Sequence, residues 1–205
     1  MSTSYRCITE FAEHLFKEKG SKFYAYAYPI KTEEEVKPLI EECRKKQPKA
    51  NHHCFAYRID PIEKKERCND DGEPSGTAGK PILGQLHAAD LVNNLIVVSR
   101  IFGGTKLGTG GLIAAYKTAA KELIENAQVS EIEIEKLFIL NCPPEEAYKI
   151  LGYAGQSNAV IKNLGFANGV TRLALQLALK HEQEFYNWME LYDNRTYKVE
   201  QARLI

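Results

Sequence analysis

The densest polar chemistry of this 205-residue chain lies in two glycine-rich segments. In the first, Asp70-Asp71-Gly72-Glu73-Pro74-Ser75-Gly76-Thr77-Ala78-Gly79-Lys80, three carboxylates, two hydroxyls and a lysine share eleven positions. Carboxylates this close can hold a hard divalent cation, or drive their pKa values apart for acid–base work. Asp70, Asp71 and Glu73 are the candidate ligands. The segment lacks the alternating acidic ligands of a calcium-binding helix–loop–helix. It reads more simply as a surface turn in which Ser75 or Thr77 caps the following helix.

The second segment is Gly103-Gly104-Thr105-Lys106-Leu107-Gly108-Thr109-Gly110-Gly111, with five glycines in nine positions. Glycines leave backbone N–H groups unshielded, and this stretch delivers the chain into a helix N-terminus, where free N–H groups and the helix dipole favour an anion. Lys106 and Thr109 would add a charge and a hydroxyl. No G-K-[ST] closes the loop, so it is not a Walker A element. Close packing of a strand against a helix is an equally good use for such a turn.

His52, His53 and Cys54 open a strand. Alternation puts His52 and Cys54 on one face and His53 on the other. A Cys–His nucleophile pair needs hydrogen-bond reach, whereas two strand rises separate these groups by roughly 6.6 Å. A buried histidine and an inert core cysteine are the simpler account. His52 facing the two glycine loops is the candidate acid–base group. Near the loops stand the basic residues Arg58, Lys80, Arg100 and Lys106 and the aromatics Phe55, Tyr57, Phe102 and Tyr116. Basic and aromatic groups on a sheet can neutralise and stack a single strand of RNA.

These residues need elements to hold them. After a poorly patterned leader, Lys22 to Pro29 alternates Tyr24, Tyr26 and Tyr28 with Phe23, Ala25 and Ala27, as the two faces of a strand. Thr32-Glu33-Glu34-Glu35 is a capping-box pattern, and Val36, Leu39, Ile40 and Cys43 follow at helical spacing, with Pro38 the expected first regular position. Strands are predicted at His53–Ile59, Glu66–Asn69 and Leu95–Ile101, and helices at Pro81–Asp90 and Leu112–Asn126. The second half reads as strand Glu131–Leu140, a helix opened by Pro143 and Pro144, strands Asn158–Leu164 and Val170–Leu179, helix His181–Leu191 and strand Thr196–Glu200. That β-α-β-β-α-β order is ferredoxin-like. The expectation is an α+β chain of two domains, residues 1–130 and 131–205.

Composition narrows the function classes. Five scattered cysteines without a C-x-x-C pair argue against a disulfide framework and against a cysteine-based zinc site. No apolar run approaches the roughly 20 residues of a membrane span, and the first residues lack the apolar core of a secretion signal, so the cytoplasm is the expected location. Lysine plus arginine equals aspartate plus glutamate at 27 each; cut near Ser130, the halves carry 19 basic and 17 acidic, then 8 basic and 10 acidic residues. Neither half has the strong excess of a general nucleic-acid binder, so any RNA contact must come from a local patch.

Four blocks are recognisable: GSKF (Gly20–Phe23), NHHCFAYRI (Asn51–Ile59), DDGEPSGTAGKPIL (Asp70–Leu83) and VVSRIFGGTKLGTGGLIAAY (Val97–Tyr116). Together they resemble the signature blocks of the IMPACT family, and the second half is similar to the carboxy-terminal domain of its bacterial YigZ branch. The departures are His53, where the family more often shows Asn, and Ile101, where it often shows an aromatic. The resemblance implies the fold of the second domain of small-subunit ribosomal protein five for the first half. It also implies work in translation, since eukaryotic relatives act in translational control and bacterial relatives are thought to bind nucleic acid or ribosomal components. The expected function is a binding protein of the translation machinery or its regulation, contacting RNA or a ribosome-associated partner. Arg100, Gly103, Gly104, Lys106, Gly108, Thr109, Gly110, Gly111, Ser75, Thr77 and Lys80 are its candidate contacts. The alternative is an enzyme or sensor of a phosphorylated small molecule, held by the Gly103–Gly111 loop and a divalent cation, with His52 as acid–base group.

Overall fold

The computed structural model of the chain describes residues 2–191 and 198–204. It divides into two compact units, one running from Tyr5 to Ile132 and the other from Glu133 onward together with the residues before Tyr5. Among the described residues no helix is long and apolar enough to cross a membrane.

The leader is not unpatterned. It forms two strands, β1 (Ser4–Ile8) and β2 (Ala12–Glu18). β2 turns through Lys19 and Gly20, both at positive φ (44° and 80°), into β3 (Ser21–Pro29), with Glu18 opposite Ser21. Positive φ at both central positions is the turn that suits the twist of a hairpin. The remaining elements of this unit are α1 (Val36–Lys46), β4 (His52–Ile59), β5 (Lys65–Asn69), α2 (Gly79–Ala88), β6 (Asn94–Ile101), α3 (Gly108–Asn126) and β7 (Val129–Glu133). Five strands make one sheet in the order β2-β3-β6-β4-β5, every neighbouring pair antiparallel. β1 and β7 pair separately.

Both faces of the sheet are covered, and the alternation along β3 shows how. Phe23, Ala25 and Ala27 join Cys54, Ala56, Ile96 and Val98 under α2 and α3, whereas Tyr26 and Tyr28 join Tyr57, Leu95 and Val97 under α1. Small residues at the centre of the first face let α2 and α3 approach the sheet; bulky rings fill the space below α1. The capping box forms as the sequence predicts, with the Glu35 carboxylate accepting the Thr32 backbone N–H at 2.8 Å. Pro38 sits in the first turn of α1 rather than at its start, where its missing N–H has no partner to lose.

The second unit contains β8 (Glu135–Cys142), α4 (Ala147–Gln156), β9 (Val160–Ala167), β10 (Val170–Ala178), α5 (Glu182–Glu190) and β11 (Lys198–Leu204). Strand order β11-β8-β10-β9 with antiparallel neighbours completes the ferredoxin-like β-α-β-β-α-β fold. Thr171, Leu173, Leu175 and Leu177 point to the buried face of β10, and Phe138 packs at 4.9 Å between ring centroids on Phe185 of α5. β9 begins two residues later than predicted because Asn158, at φ 55°, ends α4 in the left-handed region. Of the predicted last strand, Thr196 and Tyr197 lie outside the described residues.

One close approach ties the β2–β3 hairpin to the loop after β6. A Cβ added to Gly103 would lie 1.9 Å from the Gly20 carbonyl carbon and 2.1 Å from the Ser21 nitrogen. The loop after β6 therefore rests backbone to backbone on the β2–β3 hairpin. Gly103→Ala is expected to lower the melting temperature by several degrees. Gly110→Ala, in α3 with nothing within 4 Å, is expected to leave it unchanged or raise it. Calorimetry on the pair checks this, and equal losses in both would refute the packing role of Gly103.

Candidate functional site

The signature segments meet at one end of the five-stranded sheet. Phe23, Arg100 and His52 are cross-strand neighbours on β3, β6 and β4, so they share the face covered by α2 and α3. The turn after β5 brings Glu73 onto this row, and α3 brings Tyr116. Arg100 Nη1 donates to Glu73 Oε1 at 2.6 Å, and the Tyr116 hydroxyl donates to the same oxygen at 2.9 Å. Side chains of Arg100 and Glu73 are only 8% and 3% exposed. The guanidinium is packed between rings, 5.6 Å from the centroid of Phe23 and 5.7 Å from that of Phe102. Burial drives the Tyr116 hydroxyl far above its ordinary pKa, so it stays protonated and donates.

The three carboxylates expected as cation ligands are spent on the protein itself. Asp70 accepts backbone N–H groups from Ala78 and Gly79 on one oxygen and from Gly76 on the other, at 3.0, 2.8 and 2.8 Å. It is the anion at the N-terminus of α2. Burial pushes its carboxyl up, but these three donors and the nearby Lys80 charge outweigh it and hold the pKa below the ordinary value. Asp71 pairs with Arg44 at 3.0 Å and accepts the His53 backbone N–H at 2.7 Å. Glu73 belongs to Arg100. Among the described residues no three His, Cys, Asp or Glu side chains come together as metal ligands. The cap of α2 is thus Asp70 rather than Ser75 or Thr77, because the turn folds the chain back over eight residues. The Thr77 hydroxyl donates to the Pro74 carbonyl at 2.6 Å, and Ser75 is exposed.

His52 and Cys54 share a face as the alternation requires, and neither is poised as a reactive group. His52 Nδ1 donates to the Asp71 carbonyl at 2.8 Å, and Nε2 stands 4.0 Å from Glu73 Oε1. Cys54 Sγ lies 2.9 Å from the Asp70 carbonyl oxygen, and burial raises its pKa far above the thiol's ordinary value. A thiol held protonated is a poor nucleophile. His53, on the other face, contacts Ser99 Oγ at 2.7 Å, and burial followed by the Arg44 charge lowers its pKa.

The glycine segment divides into three. Gly103 is a packing residue. Gly104, Thr105 and Lys106 are exposed. Gly108, Thr109, Gly110 and Gly111 are not loop but the first turn of α3, which starts four residues earlier than predicted. No side chain caps that turn and no acidic residue stands in it. Arg100, expected among the surface anion contacts, is instead the buried partner of Glu73. The acidic turn and α3 do converge, but side chains fill their meeting point. Of the basic and aromatic group, Arg58, Tyr57 and Tyr116 are buried too; Phe102, 48% exposed, remains at the surface, as does Lys106.

With the carboxylates turned inward, this end of the unit presents lysines. Lys17 and Lys22 face each other across β2 and β3, and Lys22 is also the neighbour of Ile101. Lys19 sits in the hairpin turn against which Gly103 packs. Lys49 precedes Asn51, whose N–H bonds the Arg100 carbonyl at 3.1 Å. With Lys106, these five are exposed, and none has a carboxylate partner among the described residues. Glu18, half-buried in the hairpin, is the acidic residue among them. Like charges directly opposite in a strand pair cost stability. Sequence reading missed Lys17, Lys19, Lys22 and Lys49; only their return to one sheet end, through the hairpin and the β4–β6 pairing, groups them with Lys106.

A family model described as the Impact N-terminal domain matches residues 19–124. The chain belongs to the IMPACT family. It is 31% identical over 204 residues to the IMPACT family member YvyE of Bacillus subtilis, covering 100% of this chain and 94% of that protein. It is 32% identical over 163 residues to the IMPACT family member YigZ of Escherichia coli, covering 78% of this chain and 80% of that one. A crystal structure of a hypothetical protein is 26% identical with a TM-score of 0.74, covering 100% of this chain and 98% of that chain. The IMPACT segment of this chain contains the whole buried cluster and four of the five lysines, Lys17 falling just outside it.

Two stability tests follow. Glu73→Ala leaves Arg100 buried without its anion and is expected to cost about 3–5 kcal/mol in chemical denaturation, whereas Lys106→Glu is expected to cost no more than about 0.5 kcal/mol. Asp70→Asn is expected to cost about 1 kcal/mol at neutral pH. Because the folded Asp70 carboxyl titrates below its unfolded value, its stabilisation is full above about pH 4 and fades as pH falls through the lowered pKa. Urea midpoints between about pH 6 and pH 2 are therefore expected to fall less steeply in Asp70→Asn than in the natural protein. Parallel curves would refute the capping role.

Proposed function

We propose that this protein is a binding protein of the translation machinery or its regulation, and that it contacts RNA through the lysine-bearing end of its IMPACT domain. The observation that carries this reading is the convergence of Lys17, Lys19, Lys22, Lys49 and Lys106, exposed and without carboxylate partners, around the junction of Gly20 with Gly103. Ammonium groups held near one another at a cost in repulsion are stabilised by phosphates, which also release their own counterions on binding. The chain's overall neutrality hides this, since the acidic residues of the same segments are neutralised by internal donors. Membership of the IMPACT family supports translation as the setting, because translational control is the activity that the resemblance to its eukaryotic members implies.

The geometry takes from the small-molecule reading the groups it needs. His52 is tied to the Asp71 carbonyl, and Asp70, Asp71 and Glu73 hold the protein's own donors and cations. What is left at the surface suits a partner that brings many negative charges rather than one phosphate.

Ribosome co-sedimentation and RNA titration test the proposal. Binding is expected at low salt, with log K falling against log salt at a slope of roughly −3 to −4 if five lysines each neutralise one phosphate of a single strand. Lys17→Glu combined with Lys106→Glu is expected to abolish the association while leaving the melting temperature unchanged or higher. If the natural protein never co-migrates with ribosomes or RNA at low salt, the reading fails.

A further inference from the structure

Phe102 is the feature that the lysines do not explain. It follows the last residue of β6, is 48% exposed, and stands directly before Gly103, whose backbone is pinned to the hairpin. Exposed phenylalanine at a mobile loop tip would mean little. This ring is anchored: the Arg100 guanidinium lies 5.7 Å from its centroid, and Arg100 is itself fixed by the 2.6 Å bond to Glu73 and by the Phe23 ring. A cation near an aromatic ring is favourable, so Phe102 has a preferred position rather than free rotation. Lys106 lies four residues along the same exposed loop, and Lys22, the partner of Ile101, stands at the same sheet end on its other face.

A fixed, half-exposed ring at the sheet end that carries the unpaired lysines matches the needs of one kind of nucleic acid. In a duplex the bases are stacked on one another, and a ring of this size meets only backbone. In a single strand each base has a free π-face, and an aromatic side chain can take the place of a neighbouring base while lysines follow the phosphates. Resting on the proposed RNA contact, we infer that Phe102 is a base-stacking residue and that the lysine-bearing end recognises a single-stranded segment rather than a duplex. The buried Arg100–Glu73 pair acts as a positioning element, holding the ring from beneath.

The test compares fluorescein-labelled oligonucleotides of about 12 residues, the same mixed sequence as single-stranded RNA, as RNA duplex and as single-stranded DNA. The single strand is expected to bind more tightly than the duplex. Phe102→Ala is expected to weaken single-strand binding about tenfold or more, with duplex binding and the salt slope unchanged. Phe102→Trp is expected to restore it. Lys106→Glu, by contrast, is expected to reduce the magnitude of the slope by about 0.7 for the single strand. Single-stranded DNA, whose bases offer the same π-faces, is expected to show the same loss on Phe102→Ala, and a loss confined to RNA counts against stacking. Equal affinity for single strand and duplex, or a Phe102→Ala variant that binds the single strand like the natural protein, overturns this inference and leaves the lysine contact standing. Binding to none of the oligonucleotides overturns both.

Discussion

A guanidinium and a carboxylate taken out of water together are costly unless they are paired and hydrogen-bonded, and the Arg100–Glu73 pair sets conditions that several elements must meet. Glu73 needs its turn delivered beneath α3, Tyr116 must supply a second donor, and Phe23 must close the cavity from β3. Removing the charge of either partner strands the other. The pair therefore acts less as glue than as a constraint on how β3, β6, α3 and the acidic turn meet. The glycine loop inherits its position from that arrangement.

The same logic separates the charges of this end into two populations. Asp70 serves α2 as its N-terminal counter-charge, Asp71 joins α1 to β4 through Arg44 and the His53 amide, and Glu73 serves Arg100. Each anion is consumed by architecture. Lys17, Lys19, Lys22, Lys49 and Lys106 are not consumed, and long flexible lysine side chains at the rim stay hydrated and available. An end that is close to neutral by formula is thus basic at its surface.

Much of this was legible in the sequence, and the gaps have physical causes. The alternation of Tyr24, Tyr26 and Tyr28 with Phe23, Ala25 and Ala27 exposed both faces of β3, and Thr32 with Glu35 marked the capping box, because these are local signals. The strand Ala12–Glu18 was hidden because it is an edge strand whose outward face mixes Leu15 with Glu13 and Lys17. The start of α3 at Gly108 was hidden because glycine is a poor helix former, and only the packing of Leu112, Tyr116 and Leu123 carries the helix back through it. Arg100 looked like a surface group because nothing near it in the chain reveals Glu73, and the lysine cluster is assembled from positions 17 to 106 by strand pairing alone. What was missed is non-local.

The two-residue turn Lys19-Gly20 answers to two masters. Its glycine must present bare backbone to Gly103, and its length fixes which side chains of β2 face outward. An inserted residue would slip the register by one, turning Phe16 and His14 to solvent and swinging Lys17 away from Lys22. Relatives sharing this surface should therefore tolerate almost any change of composition along β2 more readily than a change in the count of residues between its end and Ser21.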